Sequence, residues 1–388
     1  MLNFLQNKNL EFKRIQEAVV LFAVACLTIS YFGGYYLIIT TIGEHSTLLR
    51  VVAVVCLFLK VLTTRYNKKE FLCVGTMLLL AYVSYRYSGN TRALYSFLTI
   101  CALKNIDLKK VFQTALISLS FIVVLMAVLA LLGITGTVYV TENFGRGDQI
   151  STIETRYYMG YIHPNTWAQA VFTIFLLVVL NFYEKIDWKG IVVLLLANYG
   201  LYRLAVSRTC FLCGIAMAVM LIWAKYGRKL FDFIIIRIGI VAGVTAIWSI
   251  IFTCKVNIQE SLTWTIIDWK IFTGRLAQAQ AYLENCGLSA FGVRVPDILP
   301  NGYVLDMGYM RMLLENGIII FGVMFIATIV LLIYGFMHKR NEILIAVICI
   351  CLYGVFENLA ISQMPANLMI YYLALLLYNK KKPKGQEL

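Results

Sequence analysis

Apolar stretches long enough to cross a lipid bilayer recur along this 388-residue chain, separated by short charged connections. No other feature limits the possible folds so sharply. A crossing helix needs about 20 mostly apolar residues, and within hydrocarbon only helices or closed barrels satisfy their own backbone hydrogen bonds. The stretches are continuous rather than alternating, which predicts helices and not a barrel. They lie near Ala18–Thr40, Ser46–Leu62, Phe71–Tyr85, Ala93–Leu103, Val111–Thr135, Trp167–Tyr183, Gly190–Ala205, Thr209–Ala224, Phe233–Thr253, Met310–Phe336, Ile343–Ala360 and Ala366–Tyr378. The expected fold class is all-α: a polytopic transmembrane helical bundle of about twelve spans, with residues 1–388 forming one integral membrane domain. The first stretch is too long for a signal peptide and lacks a small-residue cleavage pattern, so it is expected to remain as a span.

Charge supports the same reading. Charged residues make up 14% of the chain, against roughly 25% in soluble domains. The net charge of +14 does not point to nucleic acid, because the positive residues sit in short connections where orientation signals belong. Alternate connections carry them: Lys8, Lys13 and Arg14; Arg65, Lys68 and Lys69; Lys104, Lys109 and Lys110; Lys185 and Lys189; Lys225, Arg228 and Lys229; Lys339 and Arg340; and the lysines from Lys380 to Lys384. The positive-inside rule places these connections and both termini in the cytoplasm. The opposite side then holds two long loops, residues 136–165 and 254–307. The longer loop predicts an amphipathic helix over Thr265–Asn285, stopped by Gly287. Most of the ten cysteines fall inside spans, where they act as small apolar residues.

The outer side breaks the charge rule in a specific way. Lysine dominates inside, whereas arginine dominates outside: Arg86, Arg92, Arg146, Arg156, Arg203, Arg208, Arg275, Arg294 and Arg311. A guanidinium offers a rigid five-donor fork that binds phosphate oxygens in pairs and keeps its charge. Such arginines suit a diphosphate, although one near a span end also serves simply to reach the headgroups. Arg208 and Arg311 are flanked by apolar sequence, where a charge needs a partner. Arg50 and Arg237 also lie within spans, and no role is assigned to them. Asp306 precedes the tenth span, as either a helix cap or a carboxylate that activates a hydroxyl. His163, before Pro164-Asn165, is either a structural hydrogen-bonding residue or a base. No cluster of histidines and carboxylates with metal-ligand spacing is visible, so neither a metal nor a cofactor is expected.

Four segments together resemble the bacterial O-antigen polymerase and O-antigen ligase superfamily, most closely its capsule and exopolysaccharide polymerases. They are Arg156 to Asn165; Ser207-Arg208; Thr273-Gly274-Arg275 with Leu288 to Gly292; and Asp306 with Gly308-Tyr309 and Leu313 to Ile318. The resemblance spans about half the chain and rests on the order of the segments. It implies a C-type glycosyltransferase of the bacterial plasma (inner) membrane, independent of metal and of nucleotide sugars. The implied donor is an undecaprenyl-diphosphate-linked glycan, and a flippase and a chain-length regulator are the implied partners. Carried over to this chain, Arg208 and Arg275 match diphosphate-binding arginines, with Arg156 and Arg311 as further candidates. Asp306 or His163 would assist the acceptor in an inverting transfer. The ligase branch has histidine where this chain has Asp306. Two other functions compete: ligase-type delivery of finished glycan to another acceptor, and a secondary transporter or flippase. The latter usually shows paired halves with broken spans, and no such internal repeat is visible.

Overall fold

The structure, a computed structural model, describes residues 2–34, 40–143, 153–227, 260–358 and 365–378, with isolated positions between 232 and 258. The chain is mostly helical and membrane-embedded. Six helical stretches among the described residues are long and apolar enough to cross a bilayer: Glu11–Gly33, Ser46–Thr63, Leu108–Leu131, Pro164–Lys185, Arg208–Tyr226 and Gly308–Met337. Arg92–Ala102, Asn341–Phe356 and Met369–Tyr378 are shorter apolar helices. Most of the expected span at 233–253, together with Arg146 and Arg237, lies outside the described residues.

In chain order the helices are α1 (Leu2–Ile29, continued by a π-turn to Gly34), α2 (Thr40–Thr63), α3 (Lys68–Ser88), α4 (Arg92–Ala102), α5 (Leu108–Leu131), α6 (Pro164–Phe182), α7 (Trp188–Ala205) and α8 (Arg208–Tyr226). They continue with α9 (Leu262–Ile267), α10 (Arg275–Cys286), α11 (Gly308–Met337), α12 (Asn341–Phe356) and α13 (Met369–Tyr378). Caps fix several starts. Asn67 and Glu70 form a capping box on α3, and Asp107 and Asp187 accept backbone N–H groups at the starts of α5 and α7.

The bundle is apolar on its outside. Along α5, Ile117, Phe121, Val124, Val128 and Leu131 recur three or four residues apart and are all exposed. The opposite stripe of α5, with Ala115, Leu119, Ile122 and Met126, is buried. A soluble bundle would place polar residues on that outer stripe, so lipid is the solvent this surface fits. The centre is filled by α12 and α13, which are apolar all round and buried over most of their lengths.

Contacts group the helix ends into two sets. At one end, Lys104 pairs with Glu70 and Lys110 with Glu17, and Asn341 donates to Tyr183. At the other, Ser30 donates to the Ser46 carbonyl, Arg92 pairs with Glu315, and Asn165 and Arg275 both reach Glu357. The second end is termed the loop end.

Three local features differ from the sequence reading. The 136–165 connection carries a two-stranded hairpin, β1 (Tyr139–Asn143) and β2 (Ile153–Tyr157), paired antiparallel with Tyr139 opposite Tyr157. Alternating Thr and aromatic residues favour that strand pair. The expected single helix over Thr265–Asn285 is broken into α9, a π-turn and α10, because Thr273 and Gly274 take φ of 56° and 83°. Trp269 therefore faces outward while Tyr282 is fully buried. Lastly, α11 is interrupted at Gly317 (φ 79°, ψ 169°). Its buried first part, Gly308–Asn316, precedes a lipid-facing part from Ile318 to Met337, whose length of about 30 Å matches the hydrocarbon.

Candidate functional site

Most of the buried charges among the described residues lie at the loop end. Its centre is Arg275, the first residue of α10. A cation at a helix N-terminus opposes the helix dipole and needs anions nearby. Here Arg275 Nη2 donates to Glu357 Oε1 at 2.9 Å, Nε lies 3.5 Å from Asp306 Oδ2, and Nη1 donates to Thr273 Oγ1 at 2.7 Å. The helix is set in place by Asp268, whose two carboxylate oxygens accept the N–H groups of Leu276 (2.9 Å) and Ala277 (3.0 Å). This is an N-cap supplied from outside the helix, and it orients Arg275.

Glu357 follows Phe356, the last helical residue of α12. Burial, with a smaller push from the Asp306 charge, raises its carboxyl to about 7 against the opposing pull of Arg275. Burial likewise raises Asp306 above the usual carboxylate range, while Arg275 and Arg311 hold it down. Burial works against the Arg275 charge, but Glu357 and Asp306 outweigh it and hold the guanidinium ionised. Two carboxylates face one guanidinium, and burial raises both, a setting that suits a general base or acid. Asn165 Nδ2 also donates to Glu357 Oε1 (3.2 Å), while Asn165 Oδ1 and Gln278 Oε1 are buried with no hydrogen-bond partner among the described residues. Buried polar atoms left open in this way mark a place for a ligand or solvent.

The six expected site residues occupy different places. Asp306 and Arg275 meet directly. Asp306 does not cap α11: the capping position is Met307, which makes no side-chain cap bond. His163 caps α6, its Nδ1 accepting the Asn165 N–H at 3.2 Å, so it touches the site through Asn165. Arg208 is the exposed first residue of α8, with no ion-pair partner among the described residues. The first turn of α8 packs on the last turn of α12: Cys210 Sγ lies 3.5 Å from the Tyr353 hydroxyl, one turn before Glu357. Arg311 is buried in a separate network with Glu315 (2.7 Å), Asp297 (3.3 Å) and the Leu305 carbonyl (3.4 Å), and Arg92 joins it through Glu315. Arg156 is buried on β2 and pairs with Glu154 at 2.7 Å. The arginines thus form two ion-pair networks and a hairpin pair, not one common basic hollow.

Glu357 was missed in the sequence because it was read as part of an apolar span. The signal was present: a carboxylate at the end of such a run needs a partner.

No protein-family model, curated protein or solved structure matches this chain.

Proposed function

We propose that this protein is a glycosyltransferase of the bacterial plasma membrane that polymerises undecaprenyl-diphosphate-linked repeat units at the outer membrane face, with the twelve-span C-type architecture that this chemistry accompanies. The observation that carries the reading is the buried Arg275–Glu357–Asp306 cluster at the start of a helix. Two helix N-termini, those of α8 and α10, present Arg208 and Arg275 at the loop end. N–H groups and guanidiniums at helix starts suit phosphate oxygens.

In this mechanism Arg208 and Arg275 hold the donor diphosphate. Phosphate oxygens arriving at Arg275 Nε replace Asp306, whose 3.5 Å contact is the looser of the two carboxylate contacts. The released carboxylate accepts the proton of the acceptor hydroxyl, and the hydroxyl oxygen attacks the anomeric carbon. The bond from that carbon to the diphosphate oxygen breaks, and its electron pair leaves on undecaprenyl diphosphate, stabilised by the guanidiniums. Glu357 holds Arg275 in place throughout.

The test is chain growth. Purified full-length protein in detergent, given lipid-linked repeat units, is expected to lengthen them without any membrane gradient. Arg275→Ala and Arg208→Lys are expected to leave single units. Normal chain length in both variants would overturn the assignment.

A further inference from the structure

A cavity of about 320 Å³ opens at the loop end among α1 to α4, the segment before α11 and the first part of α11. That volume falls within the ordinary range of small-molecule sites, about 300–1,000 Å³. Its polar walls come from Ser30, Arg50, Ser88, Asn90, Arg92 and Tyr95, with Glu315 at one side.

Arg50 gives the cavity its character. It lies within the span Ser46–Thr63, where a charge is costly unless something uses it. Among the described residues its hydrogen bonds run only to its own helix, from Nη2 to Ser46 Oγ (3.0 Å) and from Nε to the Ser46 carbonyl (3.4 Å). No described carboxylate pairs with it. Glu315, on the same cavity, is engaged by both Arg92 and Arg311. The walls therefore hold one guanidinium not matched by a carboxylate, surrounded by hydroxyl and amide groups. Hydroxyls and amides both donate and accept, as sugar hydroxyls require. The remaining guanidinium calls for an anion.

We propose that this cavity is a second substrate subsite, which receives an acidic sugar residue of the acceptor glycan. Its carboxylate or phosphate substituent sits on Arg50, and its hydroxyls bond Ser88, Asn90 and Tyr95. The assignment rests on the glycosyl-transfer reading above. A run of contacts joins the two sites: Arg92 to Glu315, Glu315 to Arg311, and Arg311 to the carbonyl of Leu305, the neighbour of Asp306. The acceptor subsite and the base thus belong to neighbouring networks that meet at the Leu305–Asp306 backbone.

Binding is measured on the full-length protein in detergent by saturation-transfer NMR titration, without lipid-linked donor. The probes are D-glucuronate, D-glucose 6-phosphate, D-glucose and inorganic phosphate. Both acidic sugars are expected to show ring-proton saturation and to bind more tightly than glucose. Arg50→Gln is expected to weaken them about tenfold, the loss of one charge-assisted hydrogen bond. Arg50→Lys, which keeps the charge, should retain part of the binding, and melting temperature confirms that both variants fold. Equal binding of glucose and glucuronate overturns the proposal. So does binding lost in Arg275→Ala but kept in Arg50→Gln, which would move the sugar to the other cluster. Phosphate that displaces both sugars from a site giving no ring saturation identifies a bare-anion or headgroup site and also overturns it. Chain growth in Arg275→Ala tests the polymerase reading separately.

Discussion

Gly317 interrupts its helix directly against the backbone of Gly292. Their φ angles are +79° and +100°, and a Cβ added to either would overlap main-chain atoms of the other's segment. Three backbone bonds close the seam: Val293 N–H to the Leu314 carbonyl (2.8 Å), Ile318 N–H to Ser289 (3.0 Å) and Ile319 N–H to Ala290 (3.1 Å). The loop thereby satisfies backbone groups that the broken helix leaves open, as burial at membrane depth requires. Gly317→Ala is expected to cost about 1–3 kcal/mol from backbone strain alone, with steric overlap in addition. Gly322→Ala, where a Cβ meets nothing within 4 Å, is the neutral control. Melting in detergent compares them, and equal melting temperatures would contradict the seam.

Asp268 supplies a cap from outside the helix it caps. Asp268→Ala is expected to remove about 1–2 kcal/mol of local stability from α10. Hydrogen exchange at Leu276 and Ala277 is the measurement. Faster exchange there, with α5 unchanged, is the expected pattern. Unaltered protection would mean the carboxylate does not hold these groups.

Arg275 and Glu357 should show strong coupling. Removing one partner of a buried ion pair leaves the other charge unmatched, a loss of about 3–5 kcal/mol. Arg275→Ala is therefore expected to destabilise more than the double variant with Glu357→Gln. A double-mutant cycle in detergent gives the coupling, and additive losses would show that the two side chains act independently.

The raised carboxyl of Glu357 gives a pH signature. Its folded value, about 7, exceeds the ordinary 4.5, so the folded state binds more protons between those values. Its contribution to stability is greatest below pH 4.5, declines as pH rises through that window, and levels off above about 7. Asp306 is shifted in the same direction. Transfer rate should run the opposite way and rise with pH, because the base acts ionised. Glu357→Gln should remove the limb near 7 from the stability profile. A profile unchanged by that substitution would assign the limb to another group.

Much of this arrangement could be read in the sequence because bilayer energetics leave few choices. Helix positions followed from apolar runs. Asp306 was singled out because it directly precedes an apolar span, and Arg275 because Thr273-Gly274-Arg275 resembles a family motif. What escaped depended on contacts between distant segments. The break at Thr273-Gly274 is stabilised by Asp268, and the Gly317 break by residues 289–293, so helical periodicity did not reveal either. Arg311 stood out by its apolar flanks and Arg275 by its motif, and neither signal showed which carboxylates they meet. The structure gives them different carboxylates, because Glu315 lies one turn from Arg311 while Glu357 comes from another helix.

The placement of Met369–Tyr378 has a consequence for biogenesis. This helix fills the middle of the bundle, yet the ribosome makes it after the helices that surround it. The surrounding helices must therefore leave a vacant slot as they assemble, and no intermediate can reach native packing until the helix enters. A nascent chain arrested before Met369 should accordingly be degraded quickly in pulse-chase, even with every earlier segment correctly inserted.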